Sequence, residues 1–298
     1  MNNAHNKLSK GQLIKLYISD FSALVKFRLS ATVVFSSVMA YLIAYSSALV
    51  LNKILLLALG GFLVTGAANV LNEVLERDYD KLMKRTANRP LASGRMESSN
   101  AVLLAGFMSL FGISALALFN PATGLLGMIA LVSYAFVYTP LKRESPVAVT
   151  IGALAGALPT MIGAVAAEGT LSLLGFTLFA IQFLWQFTHF WSIAFLGFED
   201  YKKAGYRFIP ARNGKASRAI AQQALTYALL LIPVGAIPFY LEIVGVLSTV
   251  GVLVLSILFS YFAWNFYKQF DRSSALRLMF SSFFYIPLVL LIYFFDKI

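Results

Sequence analysis

A polar run after the second long apolar segment has the side chains and spacing to hold a divalent cation. Asn72, Glu76 and Asp80 are four residues apart, so on a continuous helix they share one face. Mg²⁺ takes oxygen ligands and usually binds through one or two carboxylates together with substrate phosphates. Arg85 and Arg89 follow closely, and a guanidinium can bond a phosphate through two parallel hydrogen bonds. The spacing therefore predicts a site for magnesium and a phosphorylated substrate.

The alternative for this run is a solvated loop of mixed charge. Asn72 and Glu73 argue against it, because they lie within helical reach of the apolar segment. Polar groups at that depth are costly and usually functional.

A second polar stripe lies in the sixth apolar segment. Gln182, Gln186 and His189 fall within about 60° of one another on a helical projection. Asp200 joins the same face if the helix continues that far. Two amides and an imidazole inside a membrane helix are expensive unless they line a cavity. The alternative is a core histidine whose hydrogen bond is made by a neighbouring helix.

Two further cations follow the fourth apolar segment. Lys142 and Arg143 come directly after Tyr138-Thr139-Pro140-Leu141. Taken alone, they could simply be the positive charges that are expected in a cytoplasmic loop. Because the carboxylate clusters lie on the same side, we interpret them as further ligands of a diphosphate.

The elements that position these side chains must be membrane helices. The chain has 298 residues, of which 59% are hydrophobic and only 12% charged, with a mean hydropathy of +0.76, whereas soluble domains carry about 25% charged residues. A membrane-spanning helix needs about 20 apolar residues, and in lipid each helix satisfies its own backbone groups. We predict nine spans: 29–51, 54–75, 101–119, 122–139, 147–167, 172–198, 219–240, 243–264 and 277–295. The predicted fold is an all-α bundle in a single domain, 1–298, with residues 1–26 as a cytoplasmic tail.

The distribution of charge predicts the orientation and the kind of partner. The net charge is +11, and of the 24 lysines and arginines only Lys53 and Lys297 lie on one side if the nine spans alternate. This positive-inside pattern places the N-terminus in the cytoplasm and the C-terminus outside, in the inner (cytoplasmic) membrane. The cations are spread over short loops, which favours anionic lipid or a phosphorylated substrate and disfavours nucleic acid. The absence of cysteine excludes disulfides and thiolate metal sites.

Together these segments resemble the UbiA superfamily of intramembrane prenyltransferases over about residues 20–295. Two of the matching strings, those that begin at Trp185 and at Asp200, are typical of the branch that acts on heme. The strings are Asn72-xxx-Glu76-xxx-Asp80, Lys84-Arg85-Thr86-xx-Arg89-Pro90-Leu91, Tyr138-Thr139-Pro140-Leu141-Lys142-Arg143, Trp185-Gln186-Phe187-Thr188-His189-Phe190 and Asp200-Tyr201-xx-Ala204-Gly205.

The resemblance implies transfer of a farnesyl group from farnesyl diphosphate to a vinyl carbon of heme B, with water quenching the resulting cation. Heme B is then a substrate and Mg²⁺ the cofactor. Membrane lipid, and other membrane enzymes of the heme pathway, are the further partners it suggests.

The resemblance also implies roles for individual residues. Those assigned to magnesium and diphosphate are Asn72, Glu76, Asp80 and Asp200. Those assigned to the substrates are Arg85, Arg89, Lys142, Arg143, Gln186 and His189; among them, Lys142 and Arg143 could meet the diphosphate or the heme propionates, and His189 would face the porphyrin.

The sequence departs from the superfamily pattern at two positions. Glu76 stands where the general pattern has aspartate, which lengthens the arm but keeps the charge. Ala204 stands where the second acidic motif has its later carboxylate, so a complete second metal site is not expected.

Other functions remain open at this point. Within the same enzyme class, the acceptor could be a quinone precursor. Outside it, the chain could be a secondary transporter or a heme-binding chaperone. A transporter predicts ionisable groups near the middle of the membrane and paired broken helices, whereas the ionisable residues here lie mainly at the ends of the segments.

Overall fold

The computed structural model describes residues 9–45 and 50–298, and within them the chain is an all-α bundle. Among the described residues, nine helices are long and apolar enough to cross a membrane. These are α2 (Phe27–Ala44), α3 (Leu51–Asp80), α4 (Ser98–Ala117), α5 (Pro121–Leu141), α6 (Val147–Glu168), α7 (Leu173–Leu196), α9 (Ala219–Tyr240), α10 (Val246–Gln269) and α11 (Arg272–Phe295). Two short helices, α1 (Lys10–Leu24) and α8 (Phe198–Lys203), and a hairpin of β1 (Ala211–Arg212) and β2 (Lys215–Ala216) complete the described elements.

The predicted fold class and the nine predicted spans are confirmed, with boundaries that differ by a few residues. The first predicted span reached residue 51, and its part at 46–49 lies outside the described residues. The difference that matters most for the polar run is at α3, which continues as one helix to Asp80 instead of ending near residue 75. The polar run that follows the apolar segment is therefore helical, as the proposed shared face requires.

Part of the predicted N-terminal tail is helical. α1 begins after Ser9, whose side chain accepts a hydrogen bond from the Gln12 backbone while the Gln12 side chain accepts one from the Ser9 backbone. This reciprocal capping satisfies two backbone donors at the helix start. Near the other end of α1, the buried Asp20 forms an ion pair with the more exposed Arg95, 2.8 Å from carboxylate oxygen to guanidinium nitrogen. The helix is thereby tied to the loop that follows α3.

The helix α6 lies at the centre of the bundle, with 72% of its span buried. It contributes Ala148 and Ala153 to one hydrophobic cluster and Leu158 and Ile162 to the other, so it joins the two halves of the core. Its glycines permit this close packing. A methyl group on Gly163 would overlap the Ser37 carbonyl of α2.

The packing of α6 against α2 predicts a selective effect of added volume. Gly163→Ala should lower the free energy of unfolding by about 1–3 kcal/mol, because the new methyl group forces the two helix backbones apart. Thermal unfolding of the purified protein in detergent measures this as a lower midpoint.

The matched control is Gly106→Ala in α4, where an added methyl group has no neighbour within 4 Å. It should leave the midpoint unchanged or raise it slightly, since alanine favours helix. Equal midpoints for both variants would show that α2 and α6 do not pack as closely as described.

Candidate active site

A mostly apolar cavity lies between α2, α3, α5, α6 and α7. It reaches from the interior of the bundle to the ends of these helices, where the loops after α3, α5 and α7 meet. We call this end of the bundle the loop end. The lining includes aromatic and polar side chains: Asn69, Tyr134, Tyr138, Gln186, His189, Phe190 and Tyr201.

The last turns of α3 carry the predicted row of oxygen-bearing side chains to the loop end. Asn72, Glu76 and Asp80 are all at most 3% exposed. The Asn72 amide donates to Glu76 Oε2 over 3.0 Å and to Thr139 Oγ1 over 3.0 Å. Because α3 is continuous, the three side chains lie on one face, as the spacing predicted. The amide orients the Glu76 carboxylate within the row.

Two cations from other segments neutralise the row. Glu76 forms a buried ion pair with Lys142, and Asp80 Oδ2 accepts from Arg89 Nη1 over 2.8 Å. Arg89 also lies 3.6 Å from Glu73 Oε1. Removing charges from water is expensive, and a buried carboxylate is tolerated when a counter-charge lies beside it. Both cations were predicted to bind phosphate, and here they face the carboxylates.

A third cation was missed from the sequence. Lys26, between α1 and α2, places its ammonium 2.9 Å from Asn72 Oδ1 and 3.2 Å from Asn69 Oδ1. Its backbone is left-handed, with φ of 47°, an uncommon conformation for a residue other than glycine. Burial lowers the pKa of Lys26 to about 7, with Arg89 contributing in the same direction. The sequence did show a lysine just before the first span. Such a lysine is equally expected from the excess of positive charge on the cytoplasmic side of a membrane protein.

The donor set fits a hard divalent cation. Asp80 Oδ1 and Glu73 Oε2 are buried and have no hydrogen-bond partner among the described residues, and such groups are costly unless something satisfies them. In residues 9–45 and 50–298, no three histidine, aspartate or glutamate side chains converge as a metal set. Two carboxylates and the Asn72 oxygen, completed by substrate phosphates, match the way Mg²⁺ is usually held.

The second acidic motif is placed differently from the prediction. α7 ends at Leu196 and Gly197 separates it from α8, so Asp200 does not continue the face that carries His189. Asp200 is half-buried and forms no ion pair within the described part of the chain. Its neighbour Tyr201 lines the cavity and accepts a hydrogen bond from Arg85 over 2.7 Å. The segment that follows α7 and the loop that follows α3 therefore meet through Tyr201 and Arg85.

Arg143 lies on the outer side of α3. Its guanidinium packs over the Tyr79 ring at 3.9 Å and donates to the Leu75 carbonyl over 2.6 Å. Lys142 instead turns inward, with its ammonium 4.8 Å from the centre of the Tyr138 ring. The two adjacent cations thus have different surroundings, which the sequence did not distinguish.

The polar stripe of α7 lines the cavity in part. Gln186 and His189 border it, whereas Gln182 is buried and donates to the Gly156 carbonyl over 2.8 Å. His189 Nδ1 lies 2.7 Å from Ser282 Oγ of α11, and its ring stacks on Trp185 with 4.7 Å between centroids. His189 therefore both faces the cavity and bonds a neighbouring helix, which combines the two alternatives left open by the sequence.

An apolar cavity whose loop end carries buried carboxylates and cations is typical of an enzyme that acts on a lipid diphosphate. Residues 33–286 match the UbiA prenyltransferase family, and the chain belongs to that family of membrane enzymes. Its curated relatives point to one branch. The chain is 43% identical over 284 residues to the protoheme IX farnesyltransferase of Cytophaga hutchinsonii, covering 94% of this chain and 99% of the relative. It is 40% identical over 285 residues to the enzyme of the same name from Christiangramia forsetii, covering 94% of each.

Solved structures share the fold. A digeranylgeranylglyceryl phosphate synthase superposes with a TM-score of 0.78 at 19% identity, covering 94% of this chain and 98% of that one. A UbiA homolog from Archaeoglobus fulgidus bound to GPP and Mg²⁺ superposes with a TM-score of 0.70 at 15% identity, covering 92% and 99%. At these identities the likeness concerns the helical architecture.

The buried pair of Glu76 and Lys142 predicts non-additive stability. Lys142→Met should lower the free energy of unfolding by about 3–5 kcal/mol, because it leaves the Glu76 carboxylate buried without its counter-charge. Adding Glu76→Gln to that variant should recover most of the loss. Equilibrium unfolding in mixed micelles measures both.

The matched control is Lys81→Met, which removes an exposed ion pair with Asp78 and should cost about 0–1 kcal/mol. If Lys142→Met cost no more than this control, the pair would not be buried as described.

Proposed function

We propose that this protein transfers the farnesyl group of farnesyl diphosphate to a vinyl group of heme B, giving heme O. The observation that carries the proposal is the buried row Asn72, Glu76 and Asp80, which begins one helical turn after Asn69, a residue that lines the apolar cavity. That geometry supports departure of a diphosphate from a lipid chain. The names of the relatives indicate which prenyl donor and which acceptor are used.

The diphosphate would lie at the loop end. Asn72, Glu76 and Asp80 would hold Mg²⁺, and Asp200 would approach from the segment that follows α7. When bound, Mg²⁺ supplies positive charge to the oxygens of the departing diphosphate. Arg89 and Lys142 lie beside the same carboxylates, and Arg85 lies at the junction of the loops. Once metal neutralises the carboxylates, these cations can turn to the phosphate oxygens.

The prenyl chain would occupy the apolar part of the cavity. The allylic carbon–oxygen bond breaks with its electron pair on the diphosphate, which leaves an allylic cation. Tyr134, Tyr138 and Phe190 line the cavity, and aromatic faces stabilise a cation at close range. The Tyr138 and Phe190 rings meet edge to face at 5.9 Å, which holds both in place. The apolar walls keep water from the cation before the acceptor reaches it.

The acceptor would be heme, whose vinyl group supplies the electron pair for the new carbon–carbon bond. The cation left next to the porphyrin then takes up water and releases a proton, giving a hydroxyethylfarnesyl side chain. Gln186 and His189 border the cavity and would face the porphyrin. Lys142 is the inward cation that could reach either the diphosphate or a heme propionate. An aromatic acceptor without a metal, such as a quinone precursor, would make no use of the His189 imidazole.

The distribution of cations supports a cytoplasmic loop end and a place in the cytoplasmic membrane. Because heme and its farnesylated product are poorly soluble in water, association with other membrane enzymes of the heme pathway is a further part of this proposal.

A product assay tests the proposal. Purified protein in liposomes, given heme B, farnesyl diphosphate and Mg²⁺, should form a more hydrophobic heme, heavier by one farnesyl group and one hydroxyl group. EDTA should abolish the product and added Mg²⁺ should restore it, because the carboxylates and the diphosphate are both negatively charged and need a cation between them. Chromatography with mass detection follows the product.

Two variants serve as controls for that assay. Asp80→Asn removes a buried carboxylate of the row and should lower turnover by about 10²-fold or more, as loss of one electrostatic contact commonly does. Asp78→Asn alters an exposed carboxylate two residues away and should keep near-normal turnover. Prenylation of a quinone precursor without any reaction of heme would overturn the choice of acceptor.

A further inference from the structure

The imidazole of His189 is held in a fixed orientation by side chains of α7 and α11. Trp185, one helical turn before it, stacks on the ring with an interplanar angle of 13° and 4.7 Å between centroids. Phe283 packs against the ring at 5.4 Å. Ser282 Oγ lies 2.7 Å from Nδ1. The ring therefore has little freedom to rotate where it borders the cavity.

The hydrogen bonds of Ser282 determine which nitrogen of His189 carries the proton. A serine hydroxyl has one hydrogen, and that of Ser282 is donated to the Met279 carbonyl over 2.5 Å. A carbonyl oxygen only accepts, so this hydrogen is not free for the imidazole. In the contact with His189, Ser282 Oγ must accept, and Nδ1 must donate. In the neutral imidazole the lone pair is then on Nε2.

Ser282 is itself held in position. It is fully buried, and its own carbonyl accepts a hydrogen bond from Trp185 Nε1 over 2.9 Å. The indole that stacks on His189 therefore also anchors the residue that bonds Nδ1. Within the described residues no hydrogen bond is made to Nε2, and the ring borders the cavity. The free lone pair belongs to the side of the ring that does not face Ser282.

We propose that Ser282 is a positioning residue that fixes His189 in the Nδ1–H tautomer, so that Nε2 binds the iron of the heme substrate. This inference rests on the proposed function, since it requires heme in the cavity. A histidine that ligates a metal commonly donates its other ring N–H to a fixed acceptor, which sets the tautomer and strengthens the ligand. An iron–Nε2 bond would also fix the porphyrin in the cavity and thereby select the vinyl group that meets the prenyl cation.

The test measures heme binding without the prenyl donor. Wild-type protein in detergent is titrated with heme B, and the Soret band and the iron–histidine stretching band of the ferrous complex are recorded. Ser282→Ala should weaken heme affinity about 10–100-fold, the usual cost of removing such an outer partner. It should also lower the iron–histidine frequency, because Nδ1–H loses its acceptor.

The matched control is Ser281→Ala. Ser281 is the neighbouring residue of α11 and bonds the Leu278 carbonyl over 2.8 Å in the same way, so its loss reproduces any effect on the helix alone. Ser281→Ala should leave affinity and frequency unchanged. His189→Gly should abolish the band, and added imidazole should restore it better with Ser282 present than with Ser282→Ala.

Each outcome separates this inference from the proposed function. Unchanged affinity and frequency in Ser282→Ala, or a wild-type spectrum in His189→Gly, would overturn the inference even if the farnesylated heme is formed. Equal rescue by imidazole with and without Ser282 would also overturn it. Both arms of this comparison carry His189→Gly, so it stays informative even if that substitution weakens heme binding. Failure to form any product from heme and farnesyl diphosphate would instead overturn the proposed function.

Discussion

Compensation of buried negative charge at the end of α3 is the constraint on which the loop end depends. Glu73, Glu76 and Asp80 are all nearly inaccessible, and carboxylates in such surroundings require counter-charges. One counter-charge comes from a distant part of the sequence and the other from the adjoining loop. Lys142 follows α5, and Arg89 lies in the loop after α3. The segments that meet at the loop end are therefore held together by these ion pairs, and the same charges are the ones proposed to act in the chemistry.

This arrangement explains how metal and diphosphate could enter without adding uncompensated charge. Each cation occupies part of a carboxylate's hydrogen-bonding capacity. The oxygens that remain without a partner, Asp80 Oδ1 and Glu73 Oε2, mark where the compensation is incomplete. A divalent cation would complete it and leave the protein cations available for phosphate. Binding of metal and binding of diphosphate would then be coupled, because both would draw on the same charged side chains.

The sequence predicted the helices and the shared face of the α3 row, because both depend on local composition and periodicity. The spacing of Asn72, Glu76 and Asp80 required only that α3 continue, and it does. Asp200 was predicted to share the face of His189 only if the helix continued that far, and that condition is not met, because α7 ends at Leu196 with Gly197 as its cap. Contacts between distant segments were beyond such reasoning. Lys26 and Asn72 are 46 residues apart, and Ser282 is 93 residues from His189, with nothing in the local pattern to connect them.

The most direct test of the account is the position of the metal. Crystals of the protein grown with Mn²⁺ and an unreactive farnesyl thiodiphosphate would reveal the metal by anomalous scattering. The account predicts a peak about 2.1 Å from oxygens of the α3 row, with Asp80 among the ligands and Lys142 turned from Glu76 to the diphosphate. A metal bound away from Asn72, Glu76 and Asp80, with Lys142 still paired to Glu76, would contradict it.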